Sequence, residues 1–176
     1  LYQSLGELAT QSAGLLGGKP AEAEVFVQQS AFNLIPEVGA MGDDGYTMIE
    51  VSTATELQRL LESDALSVDV SCIQVPVFYG NSMSVTIETR YPFSAEELTQ
   101  ILSGIDGVSL FAGPEQSGQP TPVTDLQSSD KTCVGRVRES RARQNALNLW
   151  ITSDNVRKSA AKNAIAITQL LLESYL

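Results

Sequence analysis

The chain has 176 residues, of which 43% are hydrophobic, enough for one domain with a real core and too apolar for a disordered chain. Its 11 basic and 21 acidic residues give a net charge of −10, which argues against nucleic-acid binding because phosphates would be repelled. Histidine is absent, which removes the commonest general base, the Ser-His and Cys-His dyads and His-containing metal sites, and no apolar run approaches the ~20 residues of a membrane span.

Ser4 to Leu16 reads as a helix with Leu5, Leu8, Ala9 and Leu15 on one face, stopped by Gly17-Gly18 and Pro20. Ala31 to Ile35 is a short apolar run closed by Pro36, and Gly42-Asp43-Asp44-Gly45 is a turn. Thr47-Met48-Ile49-Glu50 fits a capping box, with the Thr47 hydroxyl accepting from the first turn and Glu50 reaching back. That helix is expected to run to about Leu61, with Val51, Ala54, Leu57, Leu60 and Leu61 facing inward.

Val68 to Phe78 reads as the strongest strand, with its apolar parity switching near Cys72 and Pro76 removing one ladder donor. Gly80-Asn81-Ser82 breaks the run, and Met83 to Thr89 resumes it. Ser94-Ala95-Glu96-Glu97 opens a second capped helix, to about Leu102, with Gly104 past its end. Gly107 to Phe111, Thr132 to Val137 and Leu147 to Thr152 read as strands, and Gly113 to Asp130 as the longest loop. Ser153-Asp154-Asn155 leads into a final helix, Val156 to Leu172, with Asp154 or Asn155 as its N-cap. The fold class expected is α+β: a mostly antiparallel mixed sheet with helices packed on one face.

Residues 131 to 162 hold eight cations and two acids, a local charge of +6 against −16 for the rest. The arginines from Arg136 to Arg143 could bind phosphate; the plainer expectation is an arm of a dimer interface or a partner for the acidic remainder. Cys72 and Cys133 lie in no CxxC motif and are expected as buried free thiols in a reducing cytoplasm. The absence of an initial Met is expected of an excised domain or a processed product.

Three stretches carry a family pattern: "AFNLIPEVGAMGDDGYT" from Ala31, "CIQVPVFYGNSMSVTIE" from Cys72 and "LWITSDNVRKSAAKNAI" from Leu149. In order and spacing they resemble the C-terminal dimerisation domain of aspartate-semialdehyde dehydrogenases, over essentially all of residues 1–176. The resemblance implies an upstream Rossmann NAD(P)-binding domain of the same chain, missing here. It implies a homodimer, while charge, hydropathy and the lack of histidine lead us to expect no nucleic-acid, membrane or metal partner. It places the nucleophilic cysteine outside the chain, roughly thirty residues before "YQ".

The resemblance also assigns positions inside the chain. The family glutamine falls on Gln3 and the helix-start acid on Glu50, and both are kept. A usual lysine falls on Ser52, the carboxylate-binding arginine on Gln74 and the proton-transferring histidine on Asn81. Asparagine transfers no proton near neutral pH, glutamine makes no bidentate charged pair, and serine offers a phosphate no charge. These five positions form the expected vestigial substrate pocket, with Gln74 and Asn81 sharing one cleft and no catalytic residue in the chain. Asn155 matches a cofactor-facing family position. The pattern resembles the Usg branch of the family.

Each of these residues also has a plain structural role. Glu50 serves the capping box, Gln3 a surface or backbone contact, Asn81 a left-handed turn, and Asn155 a helix cap. Three functions remain open at this point: a dimerisation domain of a degenerate dehydrogenase-like protein, half of an NAD(P)-dependent oxidoreductase acting on an aldehyde or acyl phosphate, and a binding module using the basic segment.

Overall fold

The computed structural model describes residues 2–112, 118–126, 130–156 and 161–175. The chain divides into two compact units, Leu1–Phe78 and Tyr79–Leu176.

The first unit opens with α1, Tyr2–Leu16. Gly17, Gly18 and Lys19 donate their N–H groups back to Ala13, Leu15 and Gly14 carbonyls, and Gly18 takes φ +74°, the left-handed turn that ends helices. Leu8 is buried and so is Gln11. The Gln11 carboxamide oxygen accepts the N–H groups of Ser30 (2.9 Å) and Ala31 (3.1 Å), while its amide donates to Glu7 Oε1 (2.9 Å) and to the Glu22 carbonyl (2.7 Å). A polar pair one turn apart on α1 thus fastens the 22–31 segment to the helix. Ala31 and Ile35 are then buried, and Ile35 forms an isolated antiparallel bridge with Gln74.

That bridge is all the β-pairing described in the segment expected to be the strongest strand. Val68 to Phe78 carries no ladder, and the chain bends at Pro76 and Phe78. Pro76 has no N–H to give, and the Cys72 N–H bonds the Glu50 carboxylate rather than a neighbouring strand. The helix after the Gly42–Tyr46 turn is α2, Met48–Leu60. Its expected inner face is not buried: Val51, Leu57, Leu60 and Leu61 are all exposed.

The second unit is built on a four-stranded mixed sheet of order β1-β4-β3-β2. Its strands are β1 (Asn81–Glu88), β2 (Val108–Phe111), β3 (Thr132–Glu139) and β4 (Ala146–Ser153). β4 runs antiparallel to both β1 and β3, and β2 runs parallel to β3. Opposed residues share a face, so Met83, Val85 and Ile87 line up with Ile151, Leu149 and Leu147 on one apolar side. Val134, Leu147 and Leu149 are buried there.

α3, Ala95–Ser103, packs on β2 and β3. Its capping box is complete: Ser94 Oγ accepts the Glu97 N–H (3.2 Å), and Glu97 accepts the Ser94 N–H (2.8 Å). α4, Asn163–Tyr175, follows a wider turn at residues 161–162, whose Ala161 N–H donates to the Val156 carbonyl (3.4 Å). The expected start of that helix lies partly at residues 157–160, and part of the expected loop at 113–117 and 127–129; both stretches fall outside the described residues.

Candidate functional site

In the first unit the site residues hang on α1, α2 and the 72–74 segment. Gln3 is exposed on the first turn of α1. Ser52 is exposed on α2, and its hydroxyl donates to the Ile49 carbonyl (3.2 Å). Glu50, 7% exposed, is fully engaged: Oε2 accepts the Thr47 N–H (2.7 Å) and Oε1 accepts the Cys72 N–H (2.6 Å). The Cys72 amide, followed by that of Thr47, holds its pKa below the ordinary carboxylate value. Both arms of the capping box are in place: the carboxylate arm is the well-formed bond, and the buried Thr47 hydroxyl faces the Glu50 N–H at looser geometry.

Glu50 is therefore a tie between the start of α2 and the 72–74 segment. The same tie disfavours a thiolate at half-buried Cys72, whose pKa is raised first by burial and then by the Glu50 charge. Gln74 is half-buried; its backbone exchanges two hydrogen bonds with Ile35 (2.8 and 3.0 Å) and its side-chain amide donates to the Val75 carbonyl (3.0 Å).

In the second unit Asn81 is exposed on the first rung of β1, opposite Ser153. It follows a left-handed residue, Gly80, at φ +87°. The Gly80 N–H donates to Asn155 Oδ1 at 3.0 Å. Asn155 closes the Gly80 turn, and Asp154 Oδ1 accepts the Val156 N–H (2.8 Å), the bond expected of a cap at this position. A Cβ on Gly80 would lie 2.6 Å from Leu126 Cδ1 and 3.2 Å from Pro122 Cβ, so the 118–126 segment packs directly on this turn.

Sequence reasoning missed this segment as a strap. Gln119 Oε1 accepts the Arg136 N–H (2.8 Å), and the indole of Trp150 donates to the Pro120 carbonyl (2.9 Å). A Cβ on Gly135 would lie 2.7 Å from Pro120 Cδ. The available signal was the pair of glycines, Gly80 and Gly135, at places where strands permit close approach.

Among the described residues no cluster of three or more His, Cys, Asp or Glu side chains is arranged to hold a metal ion. Both cysteines are free thiols, Cys133 buried and Cys72 half-buried. No described helix is long and apolar enough to cross a membrane.

Residues 2–158 match the family model for the semialdehyde dehydrogenase dimerisation domain. The chain is 43% identical over 171 residues to aspartate-semialdehyde dehydrogenase 2 of Vibrio cholerae, covering 97% of this chain and 50% of that protein. It is 41% identical over 174 residues to the USG-1 protein homolog of Pseudomonas aeruginosa, covering 99% and 51%. The solved structure of aspartate semialdehyde dehydrogenase II complexed with ASA, from Vibrio cholerae, aligns with a TM-score of 0.93 at 42% identity, over 98% of this chain and 50% of that one. The chain spans about half the length of the curated relatives it matches. It belongs to the aspartate-semialdehyde dehydrogenase family, as that family's dimerisation domain.

Proposed function

We propose that these 176 residues are the homodimer-forming half of a longer, cytoplasmic, Usg-type protein that lacks the family's dehydrogenase activity. Its other half would be an N-terminal Rossmann domain of the same chain. The observation that carries this reading is the pair Gln74 and Asn81 at the positions where the family resemblance places an arginine and a histidine. Neither can do the family's work: a neutral carboxamide gives a substrate carboxylate no charged fork, and asparagine neither takes nor returns a proton at neutral pH. Ser52 removes a third cation, and Gln3 is left as an exposed amide. Glu50 has both oxygens committed to backbone amides, which favours a structural role over ligand binding.

NAD(P) would be held by the upstream domain, where it would supply hydride chemistry. The residue here that fits it is Asn155, whose oxygen is spent on Gly80 and whose amide donor remains to orient a nicotinamide carboxamide.

A second reading has its own support. The 43% identical relative bears a dehydrogenase name, and its solved counterpart holds ASA. On that reading the chain is the C-terminal half of an active NAD(P)-dependent oxidoreductase whose proton transfer is carried by a residue other than Asn81. One experiment separates the two: assay the full-length protein with aspartate semialdehyde, phosphate and NADP. No turnover above the uncatalysed rate is expected. Turnover that survives Asn81→Ala would establish the second reading.

A further inference from the structure

The second unit has a strained arginine in the middle of a strand. β3 slips register between Gly135 and Arg138, and Arg136 sits in that bulge at φ +54°. A side chain in the left-handed region costs energy and persists where its surroundings hold it. Both backbone groups of Arg136 are held. The Arg136 N–H donates to Gln119 Oε1 (2.8 Å), and the Arg138 guanidinium donates to the Arg136 carbonyl (2.7 Å). Bulges re-aim side chains, and this one delivers an exposed guanidinium to the lip of a recess. Its walls are Gln119, Pro120, Thr121, Pro122 and Trp150. Among the described residues no carboxylate pairs with Arg136.

Charge decides what suits this recess. Residues 131–162 carry +6 in a chain whose other residues carry −16. A recess with a cationic lip, a half-buried indole wall and no carboxylate partner among the described residues is complementary to carboxylates, and this chain supplies an excess of them. We propose that the Arg136 recess is a socket for acidic side chains of a second copy of this chain. This rests on the dimer reading above. In a two-fold dimer a cationic patch on the axis would face itself. The socket therefore lies off the axis and occurs twice, each copy filling the other's.

The test uses the full-length protein, with the dimer dissociation constant followed by sedimentation from 50 to 500 mM NaCl. Arg136→Gly is the key variant, because glycine takes the left-handed conformation freely and removes the guanidinium without straining the bulge. It should leave the melting temperature unchanged or higher and raise the dissociation constant about tenfold or more at low salt, with a flatter salt dependence. Arg136→Lys should retain part of the wild-type affinity, and Lys19→Glu, a charge change in the first unit, should do less than Arg136→Gly. A dimer whose constant ignores Arg136→Gly overturns the socket while leaving the dimer reading intact. A wild-type protein that is monomeric at micromolar concentration overturns both. Displacement of Arg136-dependent dimerisation by millimolar inorganic phosphate supports the anionic socket, whereas phosphate binding with no effect on dimerisation assigns the recess to a small anion and overturns the proposal.

Discussion

The side chain of Asn155 and the backbone of Gly80, 75 positions apart, are joined by a 3.0 Å hydrogen bond that fastens the turn before β1 to a residue two positions beyond β4. β1 and β4 are already paired rung by rung from Asn81–Ser153 to Glu88–Ala146. The Asn155 bond takes that pairing one step past the ladder and satisfies a half-buried N–H in a left-handed residue. The residue next to Gly80 is Asn81, so the position that the family resemblance assigns to proton transfer is mounted on a turn fixed from two sides.

Asn155→Ala should therefore cost stability out of proportion to its size. It leaves the Gly80 N–H without its acceptor, a loss of about 1–3 kcal/mol for a group that water reaches poorly. Urea unfolding would read it as a lower midpoint at unchanged slope. Asn155→Asp, which keeps an acceptor oxygen, should recover most of the loss, and equal losses for Ala and Asp would rule out the hydrogen bond as the cause.

Gly135→Ala tests the strap. Its Cβ would meet Pro120 Cδ at 2.7 Å and crowd the Gln119 side chain. Overpacking of this kind costs about 1–3 kcal/mol. The expected signature is a red shift of the emission of Trp150, whose indole bond to Pro120 loosens as the strap lifts. A destabilised variant with unchanged Trp150 emission would mean that the strain is absorbed elsewhere.

Glu50 predicts a pH dependence. Its folded pKa lies below the ordinary value of 4.5 because two backbone N–H groups, Cys72 first, stabilise the carboxylate. The stability it contributes is complete above the unfolded pKa and is lost as pH falls through the folded one. Glu50→Gln should flatten the acid limb of a stability profile below about pH 4.5, though not abolish it, since Glu97 is shifted the same way by Ser94. The same substitution removes a negative charge that raises the Cys72 pKa, so iodoacetamide should label Cys72 faster at pH 8 in the variant. An acid limb identical to wild type would count against the tie.

What could be read from the residues depended on how local their causes are. α3 was legible at both ends, because Ser94, Glu97 and Gly104 act within one turn. β1, β3 and β4 were legible from alternation, since each has a buried or apolar side. Val68 to Phe78 misled, because apolar content says what will be buried and not whether a neighbour exists to pair with. Pro76 lacks a donor, and the Cys72 donor goes to a side chain 22 positions away. The candidate positions came from motif spacing alone. The structural duties of Glu50 and Asn155 depend on partners distant in sequence, and Gln11 gave no hint that it holds Ser30 and Ala31.

The sharpest functional prediction concerns Gln74 and Asn81. The Gln74 backbone is held by Ile35 through two hydrogen bonds, and its side chain bonds only the adjacent Val75 carbonyl. Replacing that side chain leaves the bridge intact. Asn81 is exposed on the end rung of β1, so a larger ring there displaces no core residue. Gln74→Arg with Asn81→His should therefore fold as the parent does. If these two residues are what ended the family's chemistry, the double variant of the full-length protein should bind aspartate semialdehyde more tightly. A charge-assisted bond contributes about 1.5–3 kcal/mol, which is roughly ten- to a hundredfold in dissociation constant. Titration calorimetry would show it, and Asn81→His alone should leave binding near the parent value because its role is proton transfer rather than carboxylate recognition. If the double variant binds no better than the parent, Gln74 is not the relic of a carboxylate clamp, and the reading of a disabled pocket loses its main support.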